Sequence, residues 1–475
     1  MLADGRVADY GKGHSAESLV IRFSLTEGVI AMKLHASRRR FLQTSAAIGV
    51  GYWVAGGVKA QESKSPNEKI QFASIGVGGK GQSDSADAGN SGAMVAICDV
   101  DDRTLNGAAQ RFPDAKKYND FRKMLEEMGE KIDAVTVSTP DHCHAAAALM
   151  AMRMGIHCFC QKPMTKTIYE ARLMGQVAAE KKVATQMGNQ GTANEALRRA
   201  AAIIKKGVLG NVTEVHVWTN RPIWPQGGER APEAPVPPYL HWQEWIGPAP
   251  FRPYAPGYHP FSWRGWWDFG TGALGDMACH TLNMPYAALD LRDPISVQAE
   301  TSGHNRDSFP KWSVITYEFP ANDWRPALKM KWYDGGKRPD KELFAAFNDP
   351  DAPSGSGALL IGEKATMYAP GDYCDRYTIL PEVEIPEVEY RRSPGHFQEW
   401  VEAIKGGEPA MSNFPGYASP LTETVLLGNL AVWVANEPGV GPKVEWDAKN
   451  LKSPNISGLE TIVKPNFREG YLLDV

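Results

Sequence analysis

What this chain lacks narrows its class before any motif is found. Six cysteines in 475 residues are too few to build a disulfide scaffold, and their places inside apolar stretches mark them as core thiols. There is no long block of lysine or arginine and the net charge is −4, which removes the electrostatic footprint that nucleic-acid binding needs. No apolar run approaches the ~20 residues that span a bilayer, so no stable membrane anchor is expected. No internal repeat is visible. Partners are therefore expected to be small molecules.

What is present first is an export-like segment, "SRRRFLQTSAAIGVGYWVAGGVKA", residues 37–60. Paired arginines, a short apolar run and a small-residue end have the form of a twin-arginine (Tat) signal peptide. No cysteine lies near the end of the run, so a lipoprotein anchor is not indicated. Such a tag sits near a true N-terminus, which makes Met32 the expected start. The expectation is a periplasmic protein that passes through the Tat export machinery, with residues 1–66 forming extension, signal and linker.

From Ile70 onward the pattern is strand, turn and helix, repeated: "IQFASIG", "AMVAICD", "DAVTVST", "IHCFCQKP" and "VATQMGN". Apolar strands alternating with helical stretches predict a parallel, doubly wound α/β sheet over residues 67–187. Beyond it, "VTEVHVWTN", "ISVQAETSG", "WSVITYEFP" and "ALKMKWYD" read as strands without regular helices between them. Residues 188–475 are therefore expected to form an α+β domain with an open, mainly antiparallel sheet. Two late helices, "HFQEWVEAIKGG" and "TETVLLGNLAVWVANE", would pack back onto it.

"ASIGVGGKGQS" sets Gly76, Gly78, Gly79 and Gly81 directly after a strand and before a helix. Gly76 permits the turn, Gly78 lets the backbone approach a pyrophosphate, and Gly81 lets helix and strand pack closely. Asp99, ending the next strand, is spaced to bind a ribose 2′-hydroxyl. Its charge favours NAD over NADP, although nearby Arg103 would moderate the repulsion of a 2′-phosphate.

At "STPDHCH" and "QKP" the chain resembles the Gfo/Idh/MocA oxidoreductases, named for glucose-fructose oxidoreductase and inositol dehydrogenase. The Thr-Pro turn and following His of that family are matched by Thr139, Pro140 and His144. Its Glu-Lys-Pro is matched by Lys162 and Pro163, but Gln161 replaces the Glu. Its Asp followed four residues later by His is matched by Asp276 and His280. The resemblance implies a Rossmann domain, a substrate domain with an open β-sheet, nicotinamide chemistry on a sugar or polyol, and cofactor contacts at Thr139, Pro140, His144, Gln161 and Lys162.

The residue chemistry agrees. Removing hydride from an alcohol carbon needs a base for the hydroxyl proton, and His280 suits that role. Asp276, one helical turn earlier, would orient the imidazole and favour its protonated form. Lys162, at the sheet's carboxyl edge, would hydrogen-bond the reacting oxygen. Asn189, Trp218, Arg221, Trp224, Trp263, Arg264 and Trp266 offer rings and polar groups suited to a carbohydrate, though core or interface packing would explain the rings equally well. His142, His144, His157, Cys158 and Cys160 fit no common zinc spacing, so no metal is expected.

Three functions fit this reading. One is a sugar, polyol or glycoside oxidoreductase with retained NAD. The second is a redox-neutral glycosidase that oxidises, eliminates, hydrates and reduces again. The third is a sugar- or dinucleotide-binding protein without turnover. Association into a homo-oligomer is open in all three.

Overall fold

Strands that must be covered on both faces should be short and mostly apolar, and the central strands of the first sheet obey that rule. A computed structural model describes residues 69–471 and Leu473; Met32 and the segment 37–60 lie outside the described residues. The sheet comprises β1 (Gln71–Ile75), β2 (Ala93–Cys98), β3 (Lys116–Tyr118), β4 (Ala134–Val137), β5 (His157–Cys160) and β6 (Thr185–Met187). All its pairings are parallel, in the order β3-β2-β1-β4-β5-β6. The order in which strands are added reverses between β1 and β4, which opens a crevice at their carboxyl ends.

The crossover helices are α1 (Lys80–Ser91), α2 (Asp102–Arg111), α3 (Phe121–Met128), α4 (Asp141–Arg153) and α5 (Ile168–Lys181). Their starts are written in the sequence. Asp101 and Asp120 accept the amides of Arg103 and Arg122, and Thr167 with Glu170 forms a reciprocal capping box at α5.

After α6 (Glu195–Lys205), β7 (Val212–Trp218) opens the second sheet. The next 52 or so residues are mostly irregular and hold α7 (Trp242–Ile246), and they are followed by α8 (Gly272–Thr281) and α9 (Asn283–Leu289). This corrects the expectation of strands uninterrupted by helices. Then come β8 (Ser296–Ser302), β9 (Ser313–Phe319), β10 (Leu328–Tyr333), β11 (Gly357–Gly362), β12 (Thr366–Pro370) and β13 (Thr378–Leu380). α10 (His396–Ile404), α11 (Ser419–Val434), β14 (Pro438–Val440) and β15 (Val444–Glu445) follow. The sheet order is β13-β12-β11-β7-β10-β9-β8-β14, with β15 also on β8. Only β7 and β10 run parallel. The architecture is an α/β Rossmann sheet joined to an α+β region with an open, mostly antiparallel sheet.

α11 is apolar almost all round because it is covered almost all round. It packs on α5 from the first sheet and on α8, β8 and β9 from the second. All six cysteines are free and buried.

Candidate active site

The glycine turn follows β1. Gly76 has φ +79°, and a Cβ there would lie 2.6 Å from the Ser138 carbonyl oxygen; a Cβ at Gly81 would lie 2.1 Å from the oxygen of Gly76. Strand, turn and helix therefore touch backbone to backbone. At Gly78 the neighbour is the Thr104 side chain, at 2.7 Å, whereas Gly79 (φ +50°) has nothing within 4 Å. The open face of the turn, at the N-terminus of α1, is thus at Gly79, and it is a cradle of the kind a diphosphate fills. Asp99, after β2, accepts the Val77 amide on one oxygen and the Asp101 amide on the other, each at 2.9 Å.

Across the sheet edge, Lys162 follows β5 and reaches α8. Its Nζ donates to the Asp276 carbonyl at 2.6 Å and to Asp276 Oδ1 at 3.0 Å. Arg264 Nε donates to the same Oδ1 at 3.2 Å. Burial by itself would raise the Asp276 carboxyl, but Lys162 and Arg264 outweigh it and hold the pKa at about 2. His280 lies one turn further along α8, buried, with Nδ1 unpartnered among the described residues. Burial first, and then the Lys162 charge, hold this imidazole well below its ordinary pKa, so it is neutral near pH 7. The Tyr373 ring stands edge-on to it with centroids 5.0 Å apart.

An ammonium and a guanidinium that share one carboxylate, with a neutral imidazole one helical turn away, thus lie at the sheet edge that carries the glycine turn. A model described as the oxidoreductase family's NAD-binding Rossmann fold matches residues 70–189, and one described as that family's C-terminal alpha/beta domain matches residues 193–323. The chain belongs to the Gfo/Idh/MocA oxidoreductase family.

Among curated relatives, levoglucosan dehydrogenase of Pseudarthrobacter phenanthrenivorans is 26% identical over 178 residues, which are 37% of this chain and 37% of the relative. A glycosyl hydrolase family 109 protein of Saccharopolyspora erythraea is 34% identical over 28% of this chain and 35% of its own length. The chain thus spans little more than a third of the length of these relatives. In fold it is similar to the WlbA dehydrogenase of Bordetella pertussis, solved with NADH and UDP-GlcNAcA, at TM-score 0.54 and 19% identity over 78% of this chain and 97% of that one.

Several family motifs do different work here from what the sequence suggested. Asp276 pairs with Lys162 and Arg264 and makes no hydrogen bond to His280, which corrects the expectation that it orients the imidazole. His144 is buried between two carbonyls, Nε2 at 2.7 Å from Thr139 and Nδ1 at 2.8 Å from Pro163. Burial pushes its pKa down to about 4, so only one of these contacts is an N–H donation. It thereby ties the turn that ends β4 to the turn after β5. Gln161 is buried too, its amide donating to Asp84 at 2.8 Å. Thr139 and Pro140 lead from β4 into α4, with Pro140 in the N-cap position.

The carbohydrate-facing assignments need the largest correction. Trp218 is fully buried, edge-on to Phe344 and stacked with Tyr368, and Asn189 is fully buried, taking a hydrogen bond from Ser412 at 2.6 Å. Trp266 packs edge-on against Tyr258 in a closed aromatic cluster, and neither ring is a stacking platform. Trp224 and Trp263 are also buried, but they flank Arg264, whose guanidinium lies 4.2 Å from the Trp263 ring centre and 5.8 Å from that of Trp224. Arg221 stays partly exposed. The ring that does face outward is Phe261, 43% exposed and 4.7 Å from the Arg264 guanidinium.

Two further features escaped the sequence reading. Asp141, inside the "STPDHCH" motif, is buried and accepts a 2.6 Å hydrogen bond from Thr271, just before α8. Burial raises its pKa to about 7 despite Thr271 and Arg264. The irregular segment after β7 crosses to the first sheet as a strap. Tyr239 accepts the Asp102 amide at 2.9 Å, His241 donates its amide to Val100 at 2.9 Å, and His259 Nε2 meets Asp101 at 3.0 Å. Arg103 lies 3.5 Å over the Tyr239 ring while paired with Asp101.

Proposed function

We propose that this chain is an NAD-dependent oxidoreductase that acts on a sugar, polyol or glycoside and keeps its NAD between turnovers. The observation that carries the reading is the Lys162–Asp276–Arg264 cluster with neutral His280 one helical turn away. Bound NAD supplies the hydride acceptor. On the chain's side, His280 takes the hydroxyl proton. Lys162, with two of its three N–H donors committed to Asp276, directs the third at the reacting oxygen as charge develops there.

Asp99 opposes a 2′-phosphate, and Arg103, the cation that would offset it, is committed to Asp101 and Tyr239; both favour NAD over NADP. The strap on the loop after β2 supports retention. The levoglucosan dehydrogenase relative supports a sugar substrate, and the Phe261 ring beside Arg264 suits a sugar face better than the buried tryptophans. The arginine-rich segment 37–60 supports Tat export to the periplasm, a route for folded passengers that suits a retained cofactor.

A second reading, redox-neutral cleavage of a glycoside, is favoured by Asp141. Elimination beside a newly formed ketone needs a second group that exchanges a proton near neutral pH, and the Asp141 carboxyl titrates there. The glycosyl hydrolase family 109 relative points the same way. One experiment tests both readings: nucleotide released from the purified protein is identified, and glycosides are assayed with and without added NAD. Stoichiometric NAD with turnover indifferent to added NAD supports retention, and free aglycone supports the second reading. A nucleotide-free protein that needs added NAD removes retention. Absence of both nucleotide binding and turnover sinks the proposal and leaves a sugar-binding protein.

A further inference from the structure

Asp84, on α1, is a buried carboxylate that the reading above does not use. Only 1% of it is exposed. Its Oδ2 accepts Gln161 Nε2 at 2.8 Å and Ser138 Oγ at 2.8 Å, and its Oδ1 pairs with Lys80. Each partner adjoins a different piece of the dinucleotide site. Lys80 is in the glycine turn, Ser138 precedes Thr139 at the end of β4, and Gln161 precedes Lys162 at the end of β5. Gln161 packs closely on Gly188, where a Cβ would sit 2.4 Å from its Nε2.

We propose that Asp84 is the positioning carboxylate of the dinucleotide site, and that residue 161 is an amide because Asp84 already occupies the carboxylate's seat. A glutamate at 161 would press a second carboxylate against Asp84. Two like charges at that distance cannot both ionise, so one would hold a proton. The other charged or titratable groups around Asp84 are Lys80 and Asp87 on α1 and the Cys160 thiol at the end of β5. Lys80 is half-exposed and balances one charge, not two. The negative charge that the family pattern places on the strand has moved to the facing helix.

This inference rests on the dinucleotide reading above, and a charge swap separates the two. NAD affinity is measured by calorimetry between pH 5 and pH 8 on the full chain, freed of nucleotide, for wild type, Asp84→Asn, Gln161→Glu and the double variant. The melting temperature of each nucleotide-free protein is followed over the same range. Asp84→Asn is expected to bind about tenfold more weakly at every pH, and Gln161→Glu to match wild type at pH 5 but fall about tenfold by pH 8, as the shared proton is lost. Its melting temperature should drop relative to wild type over the same range, because the raised carboxyl pKa in the fold makes stability fall as pH rises. The double variant, with one carboxylate restored to the site, should return to within about threefold of wild type at pH 8. A pH-independent Gln161→Glu, or a double variant no better than the weaker single, overturns the proposal. If wild type binds no dinucleotide, the dinucleotide reading fails, and the melting curves alone decide whether the two carboxylates conflict.

Discussion

Asp276 directs its charge to two cations rather than to the imidazole on its own helix, and this divides the work at the site. Lys162 is fixed by a carboxylate, while His280 is left neutral by burial and by that same lysine. Lys162→Ala and His280→Ala should therefore each lower kcat by about 10²- to 10⁴-fold while NAD affinity stays near wild type; steady-state kinetics with calorimetry checks both. Near-normal turnover in either variant rejects its role. Asp141 makes a separate prediction about stability. Its carboxyl sits near 7 in the fold against 3.8 for an ordinary aspartate. The folded protein therefore keeps the proton longer than the unfolded chain does, and stability falls as pH rises from about 4 through 7. Asp141→Asn keeps an acceptor for Thr271 and removes that titration. Relative to wild type it should gain on the order of 3 kcal/mol between pH 4 and pH 8, read from denaturant unfolding at the two pH values. An equal difference at both would contradict the assignment.

Elements were legible where burial made their pattern regular. The apolar runs of β1, β2, β4 and β5 and the alternating runs of β7 to β10 are visible in the sequence because one or both faces of each strand are covered. β3 (Lys-Lys-Tyr) was not legible, because an exposed edge strand needs no apolar residue. The site divided in the same way. Motif spacing did place Gly76 and Gly81 in the turn after β1 and put Lys162 beside Asp276, with His280 one helical turn further on. Trp218, Trp266 and Asn189 were misread, because a ring or amide inside a polar stretch looks the same in sequence whether it faces a ligand or the core. The strap was illegible for a further reason: its contacts with Val100, Asp101 and Asp102 join segments that no local period relates. Removing its side-chain contacts, His241 Nε2 with Asp102 at 3.1 Å and His259 Nε2 with Asp101, by His241→Ala and His259→Ala together should speed NAD release about tenfold while leaving the fold intact, as measured by stopped-flow displacement. An unchanged release rate would mean that the strap does not gate the nucleotide.

At the scale of the whole molecule, alignment of the two sheets passes through α11, which touches α5 on one side and α8, β8 and β9 on the other. Gly428 is where that helix comes closest: a Cβ there would lie 2.0 Å from the Tyr317 hydroxyl and 2.6 Å from a Leu274 methyl. Leu274 is on α8, two residues before Asp276. Gly428→Val should therefore cost roughly 1 to 3 kcal/mol of stability and also lower kcat, because the wedge displaces the helix that carries the site. Lost stability with normal kcat would show that α8 is insulated from the packing behind it. The strap has one more consequence, which concerns timing. His259 and Asp101 are 158 residues apart in the chain, so their contact can close only after the whole first sheet, which ends at Met187, has been made. The glycine turn and the carboxyl ends of the first sheet's strands are all made before this clasp can exist. If the chain holds NAD as proposed, nucleotide bound before the clasp shuts would be enclosed by it, and nucleotide arriving later would need the clasp to reopen.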